Sequence, residues 1–388
     1  MPGARTSRID LVTPLPDFRL ETHFSRWEFK ARHHMTASDA ETMSMSELLA
    51  LAGPEDLEAW ERVSLGYTQT WGAPELREII ASTYETLGGA DILTFAGAEE
   101  GLYCAMLALL GPDDHAIVTV PNYQSMETLP VTIAGSVTGV ALRPENRWQL
   151  DLDDVRAALR PETRLIAINF PNNPTGAIAD QATFRELAAL CAERGIHLFS
   201  DEVYRGLEVD DAKRVPQAAD LFDRGISLNV MSKAYGLPGL RIGWIACRDH
   251  ALLERMEKMK HYLSICNARP SEVLAGIALK ARETILARNR ALCAGNTEKL
   301  GRFFADYPHL YEFSPPDGGC VAFARYLGAD GVEEHCRRLV EEKGVLLLPS
   351  SLYVSDLLPV PADRFRVGIG RRNIDAGFAA WREFLAET

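Results

Sequence analysis

The sequence predicts an α/β protein: a large three-layer domain whose mostly parallel sheet is covered by helices on both faces, plus a smaller α+β unit. Three observations predict it. Between residues 92 and 247 short apolar runs alternate with helical patterns, as in a parallel sheet buried on both sides. A stretch with few breakers, 270–304, then reads as a long helical bridge to a second unit. Beyond it, two helical patterns are interleaved with short strand-like runs at 320–325, 345–348 and 365–369. A chain of 388 residues has room for one large domain and one small one. The expected division is an N-terminal arm (1–45) joining the small domain, a large domain (46–280) and a small C-terminal domain (281–388).

The elements follow in order. In 18–34, Phe18, Leu20, Phe24, Trp27 and Ala31 recur at helical spacing, which predicts a short amphipathic arm packed on something else. A helical region at 46–60 is broken at Gly53-Pro54, where Pro54 opens a new helix; Pro74 likewise opens a helix at 75–87. Strands are expected at 92–95, 116–120, 137–142, 165–170, 196–200, 226–231 and 242–247. Helices are expected from Gly97 to about 110, at 125–133, at 151–159 with acidic residues in its first turn, at 182–194 closed by Gly195, and at 252–262. In the small unit, helices are expected at 332–342, ended by Gly344, and at 374–386.

Composition excludes several classes. A net charge of −13 argues against a general nucleic-acid binder, which needs a basic surface. No apolar run is long enough to cross a bilayer, and residues 1–10 lack the apolar core of a secretory signal. Seven widely spaced cysteines without a C-x-x-C fit reduced thiols in a cytoplasm better than a disulfide framework. No His/Cys spacing suggests a metal; His33 and His34 are adjacent and would diverge on a helix.

The chemistry collects at the strand ends, where open parallel sheets bind ligands. Five ends carry informative residues: the turn at Gly97, Tyr123, Asn173, Asp201 with Tyr204, and Ser232 with Lys233. A lysine at the end of a buried strand is out of place unless it has work, since desolvation frees its amine to attack a carbonyl. Each residue type suits an aromatic pyridine aldehyde phosphate. The helix start after Gly97, with Ser232 and Arg241, suits a dianionic phosphate. Tyr123 can lie over a planar ring, and an ionised Asp201 would keep a pyridine nitrogen protonated. Asn173 and Tyr204 can hydrogen-bond a phenolate oxygen, and Lys233 can hold the aldehyde and move a proton. Taken singly, Asp201 could cap a helix, Asn173 and Ser232 could be turn formers, and Tyr123 could be core. Five such placements together are hard to explain as packing.

The set resembles the class I/II, fold-type I, pyridoxal-phosphate-dependent aminotransferases over nearly the whole chain. The matching pieces are Tyr67-Thr68-Gln69-Thr70-Trp71-Gly72, Gly97-Ala98-Glu99-Glu100, Pro121-Asn122-Tyr123, Asn172-Asn173-Pro174-Thr175-Gly176, Asp201-Glu202-Val203-Tyr204, Ser232-Lys233 with Gly239-Leu240-Arg241-Ile242-Gly243, and Phe365-Arg366-Val367. The resemblance implies Lys233 as Schiff-base lysine, Asp201 as pyridinium partner, and Asn173 and Tyr204 as ring-oxygen partners. It implies a phosphate cup of the Ala98 and Glu99 amides with Ser232 and Arg241. Tyr67 is similar to a tyrosine lent to the neighbour's phosphate, which implies a homodimer, and Arg366 to the arginine that binds the substrate α-carboxylate. Many relatives have a hydroxyl residue three positions before the lysine, where this chain has Val230.

The implied activity is amino transfer between an L-amino acid and a 2-oxo acid by a ping-pong mechanism. The alternative is a lyase, cyclase or oxidase acting on an arginine-like amino acid; the fold also serves as the sensor half of some transcription regulators. Too few residues precede Tyr67, and they are too acidic, to suggest a DNA-binding module. Ser25-Arg26-Trp27-Glu28-Phe29 followed by Asp39 resembles the arm of related enzymes that act on arginine-like amino acids, which implies Glu28 and Asp39 as contacts for a cationic side chain.

Overall fold

Seven short strands make the main sheet: β1 Ile92–Phe95, β2 His115–Val120, β3 Ser136–Ala141, β4 Thr163–Asn169, β5 His197–Asp201, β6 Gly225–Val230 and β7 Gly243–Cys247. In this computed structural model residues 15–387 are described; the first fourteen residues of the predicted arm and Thr388 lie outside them. The spatial order is β1-β7-β6-β5-β4-β2-β3. Only β7 runs antiparallel to its neighbours, β1 and β6; every other pairing is parallel. Six strands therefore share a direction and deliver their C-terminal ends to one edge.

Apolar character on both faces of each strand explains the layering. In β4, Leu165 and Ala167 enter one apolar cluster while Ile166 and Ile168 enter the opposite one. The first cluster is roofed by the helices Ala98–Leu109 and His250–Lys260, through Leu102, Met106, Leu252 and Met256. On the other face, Gln181–Arg194 is capped by the Asp180 side chain on Thr183 N and closed by Gly195 at φ 65°.

The smaller unit is a four-stranded antiparallel sheet. Its strands β8 Tyr311–Glu312, β9 Val321–Tyr326, β10 Leu348–Pro349 and β11 Arg364–Gly368 lie in the order β10-β11-β9-β8. The helices Val332–Arg338 and Asp375–Glu387 pack on it around Phe303, Phe304, Tyr311, Phe365 and Trp381. The arm reaches across both units. Its helix, Arg19–Trp27, is fixed by Arg19 N to Gln124 Oε1 (2.9 Å) and Arg19 Nη2 to Val354 O (2.5 Å). Farther on, His33–His34 pairs in parallel with Val345–Leu346.

Three elements differ from expectation. The single bridge at 270–304 is two helices, Arg269–Lys280 and Arg282–Ala305, broken at Ala281. No Gly or Pro causes the break. The first helix packs against Pro74–Ala81, whereas the second carries Leu300, Phe303 and Phe304 into the small unit's core, so tertiary packing overrides local helix preference. The helix expected at 75–87 spans Pro74–Ala81 only. Ser82 and Thr83 hydroxyls bond back to Ile79 O and Ile80 O and compete with the next turn. Finally, Val332–Arg338 passes into a π turn, Leu339–Lys343, before Gly344 ends it at φ 73°. No helix among the described residues is long and apolar enough to cross a membrane.

Candidate active site

A cavity of 740 Å³ opens at the edge where the strands end, between the sheet and the arm. One corner of it is built by close approach. β1 hands over to Gly97 at φ 103°, and a Cβ there would run into the Arg241 guanidinium. Arg241 is itself held in the left-handed region (φ 50°), with Nη2 donating to Ala96 O (3.2 Å) and Nη1 to Ser232 Oγ (3.4 Å). The helix Ala98–Leu109 begins at this point, so its first-turn N–H groups have no helical acceptor. Glu99 lines the same corner, accepting from Ser125 Oγ (3.0 Å); burial pushes its carboxyl up to about 7. Val230, buried in the wall, supplies no hydroxyl.

Lys233 follows β6 and donates from Nζ to Ser38 Oγ (2.8 Å). Burial lowers its amine below the ordinary lysine range; Asp39 opposes that shift and Arg366 reinforces it. Asp201 is the last residue of β5, buried, with Oδ1 accepting from Val203 N (3.1 Å). Burial raises its carboxyl to about 6. Asn173 is anchored through its backbone N to Asn169 Oδ1 (2.7 Å), and its side-chain oxygen accepts from Arg366 Nη1 (3.0 Å). The buried Tyr204 hydroxyl donates to Ser38 O (2.9 Å). Tyr123 donates to Glu21 Oε1 (2.9 Å) and leans on Phe18 with ring centroids 5.1 Å apart.

The structure therefore brings Ala98, Glu99, Tyr123, Asn173, Asp201, Tyr204, Ser232, Lys233 and Arg241 to one cavity wall. Arg366 lies one hydrogen bond behind it, fully buried. Its Nη2 donates to Thr36 O (2.9 Å) and its Nε has no partner. Tyr67 is elsewhere, 93% exposed and outside its own chain's cavity. Glu28 and Asp39 both reach the wall, but differently. Asp39 takes Arg371 Nη2 on both oxygens (2.9 and 2.8 Å). Glu28 has no such pair, and desolvation, then Glu21 and Asp39, raise its carboxyl.

Sequence reasoning missed Ser38, Glu21, Arg371 and the Glu99 side chain. Glu21 had a signal: it stands three residues from both Phe18 and Phe24, on the helix face that packs. Arg371 and Ser38 had none, because their partners lie 332 and 195 residues away.

Residues 43–373 match the family "aminotransferase class I and II". The chain belongs to that family. Capreomycidine synthase from Streptomyces vinaceus is 31% identical over 375 residues, covering 96% of this chain and 94% of that protein. Arginine–pyruvate transaminase AruH from Pseudomonas aeruginosa is 29% identical over 311 residues, covering 78% and 77%. Among solved structures, a PLP-dependent aminotransferase from Streptococcus suis superposes with a TM-score of 0.88 at 29% identity, covering 97% of this chain and 99% of the other. The PLP-dependent cyclase OrfR superposes with a TM-score of 0.87 at 24% identity, with the same coverage.

Class I and II aminotransferases use pyridoxal 5′-phosphate, and the donor set fits it. A buried carboxylate without an ion-pair partner among the described residues, Asp201, is what a protonated ring nitrogen requires. The corner shaped by Gly97, Ser232 and Arg241 offers N–H, hydroxyl and guanidinium donors to a phosphate. Lys233, its amine lowered by burial, shares the cavity with both.

Proposed function

We propose that the protein is an aminotransferase that carries an amino group from an L-amino acid to a 2-oxo acid in two half-reactions. The observation that carries this reading is a lysine with a lowered amine sharing one cavity with an unpaired buried carboxylate and a phosphate-shaped corner. Bound pyridoxal phosphate supplies an aldehyde to take the amino group and a ring to spread the charge left at Cα. The chain's residues do the rest. The Ala98 and Glu99 amides, Ser232 and Arg241 hold the phosphate, and Tyr123 covers the ring. Asp201 keeps the ring nitrogen protonated. Asn173 and Tyr204 donate to the ring oxygen, Tyr204 exchanging its present acceptor, Ser38 O. Lys233 would hold the aldehyde, and its amine would serve to move the Cα proton. Arg366, oriented by Asn173, holds the substrate carboxylate.

The donor carries a cationic side chain. Among the described residues Glu21 and Glu28 stand in the cavity wall without an ion-pair partner, while Arg371 occupies Asp39. An unpaired, partly desolvated carboxylate favours a ligand that brings the missing positive charge. The working form is a homodimer in the cytoplasm, with Tyr67 lent to the neighbouring site. Exposed Leu65, Tyr67, Tyr262, Leu263 and Ile265 sit on two loops joined by Thr68 Oγ1 to Asn267 O (3.0 Å), a surface suited to burial against a second copy. Seven unpaired cysteines suit a reducing compartment.

The test is a half-reaction. With a cationic L-amino acid and no acceptor, each active site should release one 2-oxo acid, and an added 2-oxo acid should then recover the amine. A second reading, ring closure on an arginine-like substrate, is favoured by the similarity to capreomycidine synthase, which extends across the arm. It predicts a cyclic product instead of a 2-oxo acid. Release of ammonia or consumption of oxygen would point to a lyase or oxidase and against amino transfer.

A further inference from the structure

Lys260 ends the helix His250–Lys260 with no surface exposed, yet among the described residues no carboxylate lies within ion-pair distance of it, Glu100 and Glu272 acting only from farther off. Its three ammonium hydrogens are matched by three oxygens: Thr70 O (2.5 Å), Thr94 O (2.6 Å) and Asn267 Oδ1 (3.0 Å). The Phe95 ring lies 5.6 Å from Nζ. Burying an ammonium is costly, and an apolar side chain would fill the space without that cost. What the charge adds is position.

The three acceptors belong to three separate segments. Thr94 lies in β1, three residues before Gly97. Asn267 is tied to β1 by Nδ2 to Phe95 O (2.7 Å) and accepts from Thr94 Oγ1 (2.9 Å). Thr70 belongs to the 65–72 loop, which forms no helix or strand and carries Tyr67. β1 has other supports: four paired residues along β7, and contacts from Arg241 and Glu100 at Ala96. The loop is held mainly by this knot, through Lys260 at Thr70 O, Thr68 Oγ1 to Asn267 O, and Thr94 N to Trp71 O (3.1 Å), with Arg77 Nε on Gly72 O (3.2 Å) at its end. Losing Lys260 therefore loosens the loop at Thr70 before it disturbs β1.

We infer that Lys260 is a positioning residue that fixes the loop carrying Tyr67, and so governs cofactor retention in the neighbouring subunit rather than its own. The inference rests on the dimeric reading above, in which Tyr67 reaches the neighbour's phosphate.

Hybrid dimers test it, with the rate of cofactor release from the loaded protein as readout. The Lys260→Met homodimer should release cofactor about tenfold faster than wild type, as for one lost hydrogen bond to a charged group. In a hybrid of Lys233→Ala with Lys260→Met, the one remaining Lys233 faces an intact neighbouring loop and should release at the wild-type rate. In a hybrid of wild type with the Lys233→Ala/Lys260→Met double variant, it faces the altered loop and should release as fast as the Lys260→Met homodimer. A merely structural role would not follow the neighbour. The opposite pattern, or wild-type release from Lys260→Met, overturns the inference. If Lys260→Met does not fold, Thr94→Val, which removes only the hydroxyl bonds, should show the same dependence on the neighbour more weakly; dependence on its own chain overturns the inference. A protein that sediments as a monomer defeats the dimeric reading and the inference together. A dimer in which Tyr67→Phe leaves release unchanged defeats the lent tyrosine specifically.

Discussion

Replacing Asp201 by Asn should change the stability of the protein in opposite directions with and without cofactor. Burial pushes the carboxyl up to about 6 in the fold, against 3.8 for an ordinary aspartate, because it penalises the charge more than Val203 N and the Lys233 amine offset it. Between those values the folded chain holds a proton that the unfolded chain has lost. Stability of cofactor-stripped protein therefore falls as pH rises through that window, and above it Asp201 costs about 3 kcal/mol. The amide introduced by Asp201→Asn carries no charge, so the stripped variant should gain up to that amount at pH 7.5, on the order of 4 °C in melting temperature for a chain of this length. The gain should vanish below about pH 4, where both side chains are neutral. Glu202, raised by burial to about 7, moves both proteins alike and cancels in the difference, whereas Glu99 feels the Asp201 charge and should ionise somewhat more readily in the variant. With cofactor bound, the ring nitrogen supplies the missing cation, so wild type should gain more from loading than the variant. Melting curves of stripped and loaded protein across pH measure both signs. A stripped variant no more stable than wild type at neutral pH would refute the argument that Asp201 is an uncompensated buried charge.

Three further outcomes follow from the site. Lys233→Ala should lose the coloured covalent link to the cofactor, and turnover should fall by about 10³-fold or more, read by absorbance and steady-state rates. Glu28→Gln should raise KM for cationic donors by about tenfold while leaving neutral donors unchanged, as for one charge-assisted contact; equal effects on both donor classes would count against the arm as a selector. Gly97→Ala should weaken cofactor binding out of proportion to its effect on the stripped fold, since the new Cβ meets the Arg241 guanidinium at a φ that favours glycine; equilibrium titration with cofactor measures it.

What was legible in the sequence follows a physical division. The residues proposed to hold the cofactor stand within a few positions of strand ends, so Gly97, Tyr123, Asn173, Asp201 and Lys233 each carry a local mark: an apolar run, then a turn, then a candidate residue. The seven main strands were readable for the same reason. Local preference did not predict the break at Ala281, because two cores pull one helical stretch in two directions. Nor did it reveal the cavity wall that the arm completes. That wall is assembled by the arm's return over the sheet: Ser38 on Lys233, Thr36 on Arg366, and Asp39 on Arg371, contacts spanning 195, 330 and 332 residues.

The same division bears on how donor choice can vary within one cofactor chemistry. The residues proposed to hold the phosphate and ring nitrogen are positioned by the sheet and the turns after it, whereas Glu21 and Glu28 ride on a helix and turn secured at few points. The acid pattern of the arm can therefore change with little strain on the strand ends. Lys233 is the exception, since its amine bonds to Ser38 and is tuned by Asp39, both on the segment following the arm helix. A change at Asp39 should reach the proton-moving group as well as the substrate, whereas a change at Glu28 should act mainly on donor binding. Asp39→Asn should accordingly shift the pH dependence of kcat and Glu28→Gln should not. Loss of the Asp39 charge removes an influence that raises the Lys233 amine, so the limb reporting that amine should move to lower pH. An unmoved limb in Asp39→Asn would separate the arm from the chemistry altogether.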